Sequence, residues 1–245
     1  MKSTLRILLF VPLFLSITLT VSAQKKNKHA DPALEKGANY QMQERIYMQG
    51  LKYNDLAIST QALYNMMVIH PDDLSLKDSL ARMYFQRGAW GQCILVANEI
   101  LENKPNSESI LELRAVSHQT IGMPKEALKD FEKLYGISKN PYHLYEISTI
   151  QYSIRRFGEC ENNIEILLRS DEIKDKKMVL GNAQQQQEVP FVVACLNLRG
   201  VLDMEQGKKE TARKFFDAAI KVMPDFQLAK NNLALLDGKL KPKGK

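Results

Sequence analysis

The residues of this chain best equipped for metal ligation or nucleophilic attack are four histidines and three cysteines, and their spacing suits neither task. His29, His70, His118 and His143 are scattered without the short intervals by which a helix or loop turns two ligands to one ion. Cys93, Cys160 and Cys195 are odd in number, so at least one is a free thiol. The sequence contains no GxSxG elbow, no phosphate-cradling glycine loop and no HExxH pair. These absences direct the reading away from catalysis and cofactors: no enzyme activity, cofactor or metal is expected. A hydrolase built from distant residues ranks last among the alternatives.

What the chain does carry is a period. A small residue early in a helix is followed by a larger apolar one four places on and another seven places on. The series runs Ser59-Leu63-Met66, Cys93-Ala97-Ile100, Ala127-Phe131-Leu134, Cys160-Ile164-Leu167 and Ala212-Phe216-Ala219. The first members stand 34, 34, 33 and 52 residues apart, and the last interval is one period plus an insertion. Upstream of these helices lies a second helical pattern that ends in a turn at Gly88, Gly122, Arg156 and Gly207, and downstream stand Pro71, Pro105, Pro141 and Pro224. Each unit is therefore helix, tight turn, helix, break, with proline closing the second helix because it lacks the donor a helix needs. Two short helices cannot bury both faces alone, so the units must stack. Cys93 and Cys160 both take the small-residue slot two units apart, on the order of 20 Å for helices packed 8 to 10 Å apart, and outside disulfide reach. All three cysteines are expected to be small buried apolar residues. His118 falls on a core-facing position of a first helix and His70 precedes a stop proline, so both are expected to be structural.

On these residues the chain resembles the tetratricopeptide repeat family. The unit with Gly200, Gly207, Ala212, Phe216, Ala219 and Pro224 matches most fully, followed by those with Ala115, Gly122, Ala127 and Phe131 and with Leu80, Ala81, Tyr84, Gly88 and Pro105. Tyr47 and Ser148 stand where the family usually has a small residue, which marks the first and fourth units as degenerate. The resemblance implies an all-α, right-handed superhelix of about five helix-turn-helix repeats with a capping helix. It divides the chain into repeats 1 to 4 over 40–171, an inserted glutamine-rich connection over 172–190, repeat 5 over 191–226 and a capping helix over 227–240. The insertion EIKDKKMVLGNAQQQQEVP reads as an exposed connection with some helix.

In the family, first helices line a concave groove. Carried over by position, one row of that groove becomes Glu44, Asp78, Glu112, Tyr145 and Asn197, and its neighbour Met48, Arg82, Val116, Thr149 and Val201. Members that clamp a terminal carboxylate use cations and asparagine there; this chain has acids in the first three places, with Arg82 the sole cation, so such a clamp is not expected. The groove should instead have an acidic N-terminal half (Glu44, Asp78, Glu112), with Phe85 near the entrance. An aromatic patch of Tyr142, Tyr145 and Tyr152 should follow, suited to an extended peptide or partner helix.

The ends of the chain set its address. Lys2 and Arg6 precede an apolar run from Ile7 to Val21 that closes on Val21-Ser22-Ala23, the pattern of a signal peptide over 1–23. Gln24 follows where a lipoprotein would have cysteine. A linker over 24–39 and a basic tail over 241–245 complete the division. The formal charge of +6 resides in the termini, and the body between them is slightly acidic, so nucleic acid is not an expected partner. The expected protein is exported to a bacterial periplasm or secreted, without stable membrane insertion after cleavage, and serves as a non-catalytic scaffold or adaptor for a protein or peptide. A subunit of an envelope assembly or secretion complex is the nearest alternative, and a binder of small molecules or glycans through the tyrosines is the alternative of another class.

Overall fold

A computed structural model describes residues 32–182 and 185–239. The expected signal peptide, the first part of the linker and the basic tail lie outside the described residues. Helices follow one another in antiparallel pairs: α1 (Pro32–Lys52) with α2 (Leu56–Ile69), α3 (Leu74–Gln86) with α4 (Trp90–Asn103), α5 (Glu108–Thr120) with α6 (Pro124–Ser138), and α7 (Pro141–Ser153) with α8 (Phe157–Arg169). After an insertion come α9 (Phe191–Glu205) with α10 (Lys209–Val222), and then the single α11 (Gln227–Leu236), which packs on both. The architecture is an all-α superhelix of five stacked pairs and a cap.

The periodic residues explain the stacking. Ser59, Cys93, Ala127, Cys160 and Ala212 have no solvent exposure at all, and their partners four and seven places on are buried with them. Gly200 shows why the slot must be small: a Cβ there would stand 2.5 Å from the Phe216 ring. In the first pair, Tyr47 occupies the corresponding place and the close approach moves one turn along. There Gly50 is buried, a Cβ on it would stand 2.3 Å from Ser59 Oγ, and that hydroxyl donates to the Tyr47 carbonyl at 3.1 Å.

Each tight turn is made by one residue in the left-handed region: Asn54, Gly88, Gly122, Arg155 and Gly207, with φ between 55° and 79°. They repeat at the intervals of the small residues. In the fourth pair this residue is Arg155, one place before the expected Arg156, which caps α8 instead. Pro141 does more than end a repeat. Lys139 in the left-handed region closes α6, Asn140 caps α7 by accepting from the Tyr142 amide, and Pro141 opens that helix.

Two regions depart from the sequence expectation. The helix of the first unit begins at Pro32, inside the stretch read as linker. The insertion is a short 3-10 turn (Asp171–Ile173) and a β-hairpin, β1 (Lys177–Asn182) antiparallel to β2 (Gln185–Pro190), with Lys177 opposite Pro190 and Asn182 opposite Gln185. Its inner face, with Met178, Leu180 and Val189, joins the main core, while Val179 and Glu188 face outward. The amide of Phe191 donates to the Lys176 carbonyl at 2.8 Å and carries the ladder into α9.

Candidate partner-binding groove

First helices meet directly between the second and third pairs, α3 with α5, and between the fourth and fifth, α7 with α9, and the residues of the two expected rows are placed as follows. The N-terminal half of the expected groove is open. Glu44 and Glu112 are exposed, Met48 is 59% exposed and Leu51 is 38% exposed. Asp78 and Arg82 are held to each other across one helical turn: Arg82 Nε donates to Asp78 Oδ2 at 2.7 Å, and its Nη2 donates to Ser109 Oγ at 3.1 Å on the next pair. This pair removes most of the net charge expected at Asp78 and leaves Glu44 and Glu112 to set the acidity of this half. Phe85 is half-buried, its ring edge-on to Trp90 with centroids 5.1 Å apart.

The C-terminal half differs from its expectation. Tyr145 is 6% exposed and meets the ring of Phe191 edge-on at 5.6 Å. Tyr142 stacks on that same ring at 4.8 Å, donates its hydroxyl to the Lys177 carbonyl at 2.6 Å, and carries the Lys176 ammonium 5.7 Å from its centroid. Tyr152 is half-buried against Phe157. Asn197 accepts a hydrogen bond at 2.9 Å from Asn232 of the cap. The inserted hairpin delivers Phe191 onto the tyrosines and α11 reaches Asn197, so the aromatic patch is a packed seam between α7 and α9 rather than a free surface. Burial pushes the Tyr145 hydroxyl well above its usual range.

Several polar residues escaped the row matching. Glu146 is set among Gln119 and Thr149 in the groove floor, and burial raises its carboxyl above the ordinary carboxylate range. Arg114 grips Asp130 through two bonds of 2.9 and 2.6 Å and donates to Asn98 at 2.7 Å, with His118 Nδ1 3.5 Å from the same carboxylate. Arg199 reaches Glu161 and Glu165 on α8 at 2.5 and 2.9 Å and lies 3.4 Å from the fully buried Asp203. The signal for both clusters was present: Arg114 and Arg199 immediately precede Ala115 and Gly200, at the place where the second and fourth units have Leu80 and Ile147. Arg199 thus ties α8 to α9 across the insertion.

The three cysteines are buried and free, and burial pushes Cys160 and Cys195 up to about 12, which keeps them as thiols at neutral pH. Among the described residues, no three His, Cys, Asp or Glu side chains gather into a metal site, and no helix is long and apolar enough to cross a membrane. A cleft of about 440 Å³ between α6, α7 and α8 is lined by Gln151, Glu159 and Asn163. The Gln151 amide spends its bonds on these neighbours, donating to Glu159 at 3.3 Å and accepting from Asn163 at 2.9 Å.

No protein-family model and no curated protein sequence matches the chain. Solved structures do. A tetratricopeptide repeat protein from Parabacteroides merdae superposes with a TM-score of 0.65 at 17% identity, over 83% of this chain and 75% of that one. A structure described as "YrrB: a TPR protein with an unusual peptide-binding site" gives 0.63 at 13% identity, over 85% and 96%. MamA gives 0.60 at 12% identity, over 85% and 100%. At these identities the likeness is one of fold, and that fold is the tetratricopeptide-repeat superhelix.

Proposed function

We propose that this protein is an exported, non-catalytic scaffold that holds an extended segment of a partner protein in the N-terminal half of its groove. The observation that carries the reading is the asymmetry of the groove: Glu44, Met48, Leu51 and Glu112 stay exposed on stacked helices while the equivalent places further along are filled by the chain's own hairpin and cap. Helices held by their neighbours lose little conformational entropy when a ligand docks, which favours binding by a preformed surface. The exposed side chains select the ligand. Two methylene-rich apolar groups flanked by carboxylates suit a segment that alternates apolar residues with lysine or arginine. YrrB, a structural neighbour, is described as binding peptide, which fits this use of the fold. Export rests on the Lys2 and Arg6 pair, the apolar run and the small residues before Gln24.

Reversing Glu44 and Glu112 to lysine together tests the reading. Captured partner should fall at least tenfold, with a steeper loss at low salt, while helix content by circular dichroism is unchanged. Capture that survives both reversals would place the site elsewhere.

A further inference from the structure

Tyr64 on α2 and Tyr84 on α3 are hydrogen-bonded to each other through their phenol hydroxyls, across the boundary between the first and second pairs. The repeat supplies a control for this contact. The corresponding places at the next three boundaries hold Asn98 with His118, Glu132 with Gln151, and Glu165 with Asp203, so two phenols face each other at the first boundary alone. Among the described residues, which include every tyrosine of the chain, this is the one bond between two phenols. Tyr64 is 42% exposed and Tyr84 half-buried, so an oxidant in solution reaches the pair. Burial and the bond to Tyr64 push the Tyr84 hydroxyl up to about 12, so its proton stays in place at neutral pH and the pair remains hydrogen-bonded.

Phenols that meet hydroxyl to hydroxyl bring together the ring carbons ortho to those hydroxyls, and phenoxyl radicals couple through these carbons. The coupled product keeps its two hydroxyls side by side, so the contact already has the arrangement of the product. We propose that Tyr64 and Tyr84 are an oxidative modification site, at which a haem peroxidase with hydrogen peroxide joins the two rings into o,o′-dityrosine and locks the first pair to the second. Each phenol gives up one electron and its hydroxyl proton. A carbon–carbon bond then forms between the ortho carbons, and the hydrogens on those carbons move to the oxygens to restore both phenols. The peroxide takes up the two electrons and two protons, its O–O bond breaks, and two waters leave. The boundary is one where a covalent tie has an effect. Leu63 and Met66 of α2 pack with Leu76, Leu80 and Met83 of α3 in a core of their own, separate from the continuous core of the later pairs. An end unit of a repeat array has one neighbour instead of two and opens more readily than the units inside. The proposal stands independently of the groove reading.

Brief treatment of the dilute purified protein with a haem peroxidase and limiting hydrogen peroxide tests it. The expected product is a monomer with the blue fluorescence of dityrosine. Its tryptic digest should contain segments 53–77 and 83–87 joined with the loss of two hydrogens. Tyr64→Phe and Tyr84→Phe should each abolish that linked peptide at unchanged helix content, whereas Tyr53→Phe, which removes the other tyrosine of the first segment, should leave it. Hydrogen exchange of the α2 amides should slow by about tenfold in the cross-linked monomer. Links confined to other tyrosines or to separate chains would overturn the proposal. So would an oxidised protein in which Tyr64 and Tyr84 stay unlinked, a linked peptide that survives Tyr64→Phe, or a cross-linked monomer whose α2 amides exchange as fast as before.

Discussion

Two glycines in equivalent-looking helical settings do opposite things, and they show what one residue contributes to this fold. Gly200 is there because Phe216 leaves no room for a methyl group, so Gly200→Ala should lower stability by about 1–3 kcal/mol through overpacking. Gly158 has no atom within 4 Å of where a Cβ would go, and Gly158→Ala should raise stability by about 0.4–1 kcal/mol by restricting the unfolded chain. Urea denaturation of the two variants beside wild type decides both. Glu146 gives a pH-dependent counterpart. Its folded-state carboxyl holds its proton to higher pH than an unfolded one, so the folded state binds more protons across that window and stability falls as pH rises from about 4.5. Glu146→Gln should remove that decline and be the more stable protein at neutral pH, read from melting temperatures between pH 4 and 8. At this scale the sequence was legible where a residue recurs: the small slots and the buried cysteines follow from position alone. It was illegible where the neighbour arrives from outside the repeat, as Phe191 does at Tyr145 and Asn232 does at Asn197.

At the scale of elements, the hairpin is the piece that changes the molecule from a uniform repeat into a polarised one. Periodicity could not announce it. Met178, Val179 and Leu180 are apolar in succession and the opposing strand is largely glutamine, so the alternation of a half-buried strand is visible only once Val189 and Val179 are seen on opposite faces. Its register is fixed at the base, where Phe191 donates to Lys176, Tyr142 donates to Lys177, and the Gln187 amide reaches the Asp225 carbonyl at 3.2 Å before α11. Phe191 is the joint between hairpin, α7 and α9, with no exposed surface. Phe191→Ala should cost about 3–5 kcal/mol and expose Tyr145 to quenchers of tyrosine fluorescence. An unquenched Tyr145 with only a small stability loss would mean the hairpin closes that half of the groove without this ring.

For the whole molecule, stacking and the two capping devices make the two ends of the stack unlike. The C-terminal end is finished by α11 and the hairpin, and the groove there is filled. The N-terminal end carries a larger share of the exposed apolar side chains than any other pair: of the fifteen large hydrophobic residues exposed among the described residues, seven belong to α1, α2 or the turn between them. The charge distribution differs along the groove rows too, with Asp78 balanced by Arg82 and Glu44 and Glu112 exposed. The central claim is that partners meet this protein in the N-terminal half of the groove. Photoreactive residues placed one at a time at Met48, Glu112, Val201 and Gln186, with irradiation in cells and mass spectrometry of the adducts, address it directly. The account predicts one partner cross-linked from Met48 and Glu112 and none from Val201. Adducts from Val201 or Gln186, with none from Met48 and Glu112, would contradict it.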